Sequence, residues 1–265
     1  MDTWVPVMSQ SHITQYRNDG FTVVKGLFSD SEVNFLRQHY DDLNLSDDND
    51  VNLSHPHRLD KVSLQWVTDD RLNKCITGLL GREPCVAHTM VYFKPPGTLG
   101  QGLHQDQYFL RVNPGTCIAA WLALDDADEE NGCLRIVPGS HTLPLLCATD
   151  DDKIDLELPQ GHSVIPLSVR AGGVIFFHGQ LVHGSGPNLS KDRFRRSLIG
   201  HYIATDSKQV YDWYHPVLRM DGTEVNISAG DVGGACGTWV DKGGDSVVEM
   251  RPETDPIRNT TRTRV

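Results

Sequence analysis

From Val86 onward the chain is cut into short apolar runs, each closed by glycine, proline or asparagine. That spacing leaves room for strands but not for long helices. Val86 to Lys94 is stopped by Pro95-Pro96-Gly97, and Cys117 to Leu124 forms a second run. Further segments follow at Asn131 to His141, Ala171 to His178, Leu181 to Asn188 and Phe194 to Leu198. The pattern predicts an all-β sandwich or barrel, with no internal repeat and no heptad register.

The N-terminal third reads differently. Ser11 to Asn18 predicts a short helix closed by Gly20, and Phe21 to Lys25 a strand. Ser29-x-x-Glu32 is a capping-box signature for a helix with Val33, Leu36 and Tyr40 on one face. The acidic run Asp41 to Asn52 has no periodicity and predicts a mobile loop. Asp69 or Asp70 can cap a helix over Arg71 to Leu80, ended by Gly81. At the other end, Gly230 to Gly237 reads as a flexible run in an extension that folds back over the barrel. That extension carries Trp213, Tyr214, His215 and Trp239, and the polar Arg251 to Val265 is expected to be disordered.

A chain of 265 residues, 38% hydrophobic, can bury one substantial core, so one domain over 1–265 is expected. Its parts are a helical preface of about 9–82, a β-core of about 85–205 and an extension of about 206–265. The formal net charge of −11 disfavours nucleic acid and anionic membrane surfaces as partners. Met1 to Met8 lacks the basic and apolar regions of a signal peptide, and no run of apolar residues is long enough to span a bilayer. Cysteines 75, 85, 117, 133, 147 and 236 include no Cys-x-x-Cys pair, and several lie in apolar strands. Free buried thiols are the expectation. A cytoplasmic monomer or homodimer acting on a small molecule follows.

Chemistry concentrates at His104-Gln105-Asp106 and, 77 residues after the aspartate, at His183. Two imidazoles and one carboxylate are the set that holds Fe(II) on one face and leaves the other positions open. Read as strand, an i, i+2 pair puts His104 and Asp106 on one side. His-x-Asp also occurs by chance on solvated strands, so the surroundings must carry the assignment. His178 competes with His183 for the third place. A co-substrate with two carboxylates also needs a guanidinium, and Arg193, Arg195 and Arg196 stand close together. As strand residues, Arg193 and Arg195 share a face and Arg196 points away.

The ordered series of these segments resembles the phytanoyl-CoA dioxygenase family of Fe(II)- and 2-oxoglutarate-dependent oxygenases, over roughly residues 15 to 205. The resemblance implies a mainly β fold with flanking α, a double-stranded β-helix (jelly-roll, cupin-like) with N-terminal helices packed on the barrel. It also implies Fe(II), 2-oxoglutarate as co-substrate, O2, and hydroxylation of an unactivated carbon. The family's ligand histidine precedes Gly-Ser-x-Pro-Asn, which favours His183 over His178. Its arginine follows an aromatic residue and precedes a basic one, which favours Arg195. The loop from His183 is about one residue longer than the family's, which keeps Arg193 as an alternative. Lys61, Met90 and Trp121 match positions that line the co-substrate, although a strand Trp is commonly plain core and Lys61 could be solvated. Asp106 disfavours halogenation, since related halogenases replace the carboxylate with a small residue.

Residues flanking the ligands and the presumed lid, Gln65, Gln107, Tyr108, Arg111 and Trp239, are candidates for the substrate. The expected substrate is a small polar metabolite: an amino-acid-like solute, an aminophosphonate or a natural-product intermediate. Rival expectations are an acyl-CoA hydroxylase of the phytanoyl type, a non-oxidative metal-binding cupin, and a barrel kept only as a binding scaffold.

Overall fold

The computed structural model describes residues 8–43, 51–147, 156–159, 161–230, 234–243 and 245–254. Helix α1 (Gln10–Asp19) stops at Gly20, whose φ of 81° lies in the left-handed region and whose N–H donates to the Tyr16 carbonyl at 2.9 Å. A Cβ there would also meet His141 Nδ1 at 2.6 Å, so conformation and space both require glycine. Strand β1 (Phe21–Val24) follows at once. Ser29 caps α2 (Asp30–Asp42), and its N–H donates to the Glu32 carboxylate at 2.8 Å, closing the box seen in the sequence. Val33, Leu36 and Tyr40 form the buried stripe of α2.

Of the loop expected over Asp41 to Asn52, residues 44–50 lie outside the described residues, and Val51 and Asn52 open strand β2 (Val51–Ser54). Helix α3 (Lys61–Val67) was not anticipated. Asp60 nucleates it by accepting from the N–H groups of Val62 and Ser63 at 3.1 and 2.8 Å. Helix α4 (Asp70–Leu80) is capped by Asp69 and ends at Gly81, as the sequence predicts.

The remaining strands are β3 (Pro84–Lys94), β4 (Gln101–His104), β5 (Ile118–Ala123), β6 (Leu134–Ile136), β7 (Ile165–Leu167), β8 (Val174–His178), β9 (His183–Ser185), β10 (Arg195–Ala204), β11 (Gln209–Tyr211), β12 (Val217–Arg219), β13 (Glu224–Val225), β14 (Ser228–Gly230), β15 (Gly234–Lys242) and β16 (Asp245–Thr254), with one short helix, α5 (Asp106–Leu110). A large antiparallel sheet runs β1-β8-β5-β10-β3-β12-β13, with β2 also on β3, and a small one runs β4-β9-β6-β7. Among the described residues the two sheets do not join at their edges. Alternation of side chains gives the large sheet two apolar faces. Ile118, Ala120, Leu122, Val174 and Phe176 pack under the helices with Tyr40, Leu72 and Ile76. Ala119, Trp121, Ile175, Phe177 and Ile199 face the small sheet through Leu134 and Ile136. This is a jelly-roll of the cupin kind with helices on one outer face.

The C-terminal extension is more regular than its glycines suggest. Strands β12 and β13 lengthen the large sheet, and Gly234 to Gly237 belong to β15, paired along its length with β16. Residues 231–233 and 255–265 lie outside the described residues, and with them most of the expected disordered tail. The thiol expectation is corrected at two positions: Cys147 and Cys236 form a disulfide. Sequence separation of 89 residues hid the pair, because only the hairpin brings Cys236 back beside Leu145 and Leu146. Cys75, Cys85, Cys117 and Cys133 are free and buried, and burial raises each thiol's pKa.

Candidate metal centre

Strands β4 and β9 are antiparallel, and His104 lies directly opposite His183 in their register. The strands approach closely because Gly184 has no side chain: a Cβ there would sit 2.6 Å from the Gln101 carbonyl oxygen. The two imidazole rings lie 4.3 Å apart by their centroids. Asp106 does not sit on the same strand, as the i, i+2 reading assumed. Strand β4 stops at His104, Gln105 is the N-cap of α5, and Asp106 is that helix's first residue.

Gln105 holds this sharp exit. Its Nε2 donates to the Gln180 carbonyl at 2.9 Å, and its Oε1 accepts from the Leu146 N–H at 2.8 Å. Asp106 Oδ1 then stands 3.7 Å from the Nε2 atoms of both His104 and His183. The three donor atoms lie within 4.8 Å of one another, and among the described residues no other group of three His, Cys, Asp or Glu does so.

The unused atoms of each candidate ligand are spoken for. His104 Nδ1 lies 2.9 Å from the Gly102 carbonyl and His183 Nδ1 3.0 Å from that of Leu181. A carbonyl only accepts, so Nδ1 carries the proton in both rings and Nε2 is left as the donor toward a metal. Asp106 Oδ2 accepts from His201 Nε2 at 3.0 Å, leaving Oδ1 inward. Burial, then the neighbouring His183, pushes the His104 pKa down to about 4. Burial pushes the Asp106 carboxyl up, but His183, His201 and His104 outweigh it and hold it well below the usual carboxylate range. Neutral imidazole with ionised carboxylate is the state in which this set binds a divalent cation.

His178, the rival third ligand, ends β8 and is turned away, its Nδ1 accepting from the Gln180 N–H at 3.0 Å. Its ring neighbours are Tyr16 and His141. Burial, then His141, pulls its pKa down to about 4.

One cavity of about 870 Å³ contains the three candidate ligands together with Arg195, Met90 and Trp121. Arg195 is 2% exposed, its Nη1 donates to Ser197 Oγ at 3.1 Å, and its guanidinium lies 5.7 Å from the Trp121 ring. The neighbouring arginines go elsewhere. Arg193 precedes the strand and pairs with Asp128 and Glu130, while Arg196 points out to Asp125 and Asp41. Lys94, which as a strand-end residue would be solvated, is instead buried, its Nζ donating to the Leu99 carbonyl and to Ser185 Oγ.

Several expected contacts are not brought to the cavity. Lys61 and Gln65 lie on the exposed side of α3, one turn apart. Gln107 is buried but spends its Nε2 on the Val112 carbonyl at 2.7 Å. Tyr108 packs on the Cys147–Cys236 disulfide, with the Arg111 guanidinium 4.7 Å above its ring. Trp239 packs with Val137 and Leu146 beside the small sheet. The reason is the helix: once Asp106 starts a helix, positions three and four ahead share its face, and Phe109 and Leu110 line the cavity in place of Gln107 and Tyr108.

Sequence reasoning also missed His55, His88, Tyr92, Gln101, Ser185 and His201, all of which line the cavity. Strand alternation could have found some of them. With Arg195 facing in, Ser197, Ile199 and His201 face in too, and His88, Met90 and Tyr92 are their partners across β3.

A jelly-roll whose paired strands bring two histidines and a helix-borne aspartate to one buried point carries a donor set suited to a single divalent cation. The family model described as "Phytanoyl-CoA dioxygenase (PhyH)" matches residues 16–197, and the chain belongs to this family.

It is 35% identical over 157 residues to phytanoyl-CoA dioxygenase 1 of Oryza sativa subsp. japonica, covering 57% of this chain and 56% of the rice protein. It is 26% identical over 232 residues to the peroxisomal phytanoyl-CoA dioxygenase of Bos taurus, covering 74% and 68%. The chain thus spans little more than half the length of its plant relatives. Among solved structures, EctD from S. alaskensis superposes with a TM-score of 0.70 at 22% identity, over 86% of this chain and 91% of that one. The epimerase SnoN, solved with Fe3+ and alpha ketoglutarate, superposes with a TM-score of 0.68 at 20% identity, over 91% and 97%. No helix among the described residues is long and apolar enough to cross a membrane.

Proposed function

We propose that the chain, acting as one domain, is an Fe(II)- and 2-oxoglutarate-dependent dioxygenase that hydroxylates an unactivated C–H bond of a small polar metabolite, releasing succinate and CO2. The observation that carries the reading is the convergence of His104, Asp106 and His183 in the same cavity as the guanidinium of Arg195. The two imidazoles and the carboxylate would hold Fe(II), whose donor preferences they match. Arg195 would hold the far carboxylate of 2-oxoglutarate, with Trp121, Met90 and Tyr92 walling that end of the cavity. When bound, iron and keto acid supply the oxygen-activating chemistry. The protein's part is to fix the ligand nitrogens, keep water from the reacting face and aim one carbon of the substrate at the centre. None of its side chains is needed as a general acid or base.

Two features favour a small polar substrate over an acyl-CoA. The chain carries a net charge of −11, which opposes a polyanionic CoA. The cavity wall also carries the imidazoles of His55, His88 and His201 together with Asn52 and Ser54, polar groups that an acyl chain would leave unpaired.

Anaerobic addition of Fe(II) and 2-oxoglutarate should give a weak visible charge-transfer band, the mark of bidentate chelation at such a site. Arg195→Ala should lose the band at moderate keto-acid concentration while still binding iron. Tight 2-oxoglutarate binding by that variant would refute the co-substrate assignment. A succinate-release screen over small acids, amines, phosphonates and acyl-CoAs then tests the substrate, and turnover with acyl-CoAs alone would refute the polar-metabolite reading.

A further inference from the structure

One end of this cavity meets the candidate ligands through a single hydrogen bond, from His201 to Asp106. On the inward face of β3 and β10, His88 and His201 are cross-strand partners, and their rings stack with centroids 5.3 Å apart at 14°. His55, just past β2, places its ring 4.5 Å from His88 and 4.3 Å from Trp213. Tyr214 closes the group, 5.2 Å from His88. All five side chains line the cavity, and none is aliphatic.

Within the group, His55 Nε2, His88 Nε2 and His201 Nδ1 are buried and have no hydrogen-bond partner among the described residues. Buried polar atoms are ordinarily paired, so three orphans in one wall point to a molecule that completes them. Neighbouring rings shield each nitrogen, so small ring rotations must bring them to the occupant. A metal ion does not fit, because their donor atoms do not converge as those of His104, Asp106 and His183 do. An aliphatic chain would leave every orphan unpaired. An anion gains no net charge at the mouth, where Arg58 and Asp212 both line the opening.

The histidines themselves narrow the occupant further. Burial first, then Arg58, pushes the His55 pKa down to about 3, and burial with His201 pushes His88 down as well. Both rings are therefore uncharged at neutral pH, each with one donor and one acceptor nitrogen. His201 donates a hydrogen bond from Nε2 to Asp106 at 3.0 Å, which leaves Nδ1 as its one polar atom for the occupant. A hydroxyl group donates and accepts at once, which matches a wall of mixed donors and acceptors. The aromatic surface of Trp213 and Tyr214 suits the C–H groups of a saturated ring.

We propose that His55, His88 and His201, against Trp213 and Tyr214, seat an uncharged hydroxyl-bearing ring of the substrate, a sugar or cyclitol unit. The proposal deepens the oxygenase reading and rests on it for the seat's meaning, since His201 joins the seat to Asp106.

Saturation-transfer NMR on the full chain with Zn(II) and 2-oxoglutarate tests it, with methyl α-glucopyranoside and myo-inositol as probes and decanoate and methylphosphonate as comparisons. Transfer to a polyol is expected, with affinity about tenfold weaker in His55→Phe and in His88→Phe. No transfer to either polyol, stronger binding of decanoate or methylphosphonate, or polyol binding unchanged in the variants would overturn it. Should His88→Phe fail to fold by circular dichroism, His55→Phe decides alone. Calorimetry of 2-oxoglutarate in the same samples separates the two readings. Keto-acid binding without polyol binding removes the seat, whereas polyol binding without keto-acid binding removes the oxygenase reading.

Discussion

A histidine that ligates a metal must offer one nitrogen and lose the other, and at His104 and His183 backbone carbonyls make that choice. Asp106 has its choice made by His201, whose Nε2 fixes one carboxylate oxygen and frees the other. Removing such an outer partner commonly weakens metal binding about 10–100-fold. His201→Phe should therefore raise the metal dissociation constant by that order in a chelator competition, and an unchanged constant would show that Asp106 needs no orienting partner. At this scale the three residues that the structure brings together were legible as candidates, because His-x-Asp and a histidine before Gly-Ser are local signals. His201 was not, because its meaning depends on facing His88 across a strand pair that the sequence does not display.

Among the elements, the capped helices were the most legible. Ser29 with Glu32, and Asp69 with Gly81, act through hydrogen bonds within one turn, so their signatures are local in the chain. The link between those helices is not local. Arg71 of α4 reaches Glu32 of α2 at 2.7 Å, and this hydrogen bond is the largest cause holding the Glu32 pKa at about 2. A carboxyl lowered on folding adds stability above its unfolded value, here 4.5, and loses it as pH falls toward 2. Both side chains are substantially exposed, so the contribution is modest. Glu32→Gln should lower the melting temperature at pH 7, with the gap to the parent narrowing steadily as pH falls from 4.5 toward 2. A gap that persists or widens in acid would contradict the pairing. The element read wrongly was the one bearing Asp106: a five-residue helix has too little periodicity to announce itself, and taking it for strand moved the expected contacts from Phe109 and Leu110 to Gln107 and Tyr108.

Across the whole molecule, a β sandwich or barrel was visible in the turn spacing and the jelly-roll in the family resemblance, whereas long-range closures were not. The Cys147–Cys236 bond joins parts of the chain 89 residues apart and fastens the β15–β16 hairpin beside α5. Loop-closure entropy puts the stabilisation from such a bond at about 4.6 kcal/mol at most. Melting in the presence of a strong reductant, or of Cys147→Ser, should begin at lower temperature, and insensitivity to both would contradict the bond. The central claim is that the chain builds one metal site from His104, Asp106 and His183. Iron stoichiometry measured after anaerobic loading of the parent, His183→Ala and His178→Ala tests it most directly. The account predicts one iron per chain in the parent and in His178→Ala and essentially none in His183→Ala; loss at His178 with retention at His183 would contradict it.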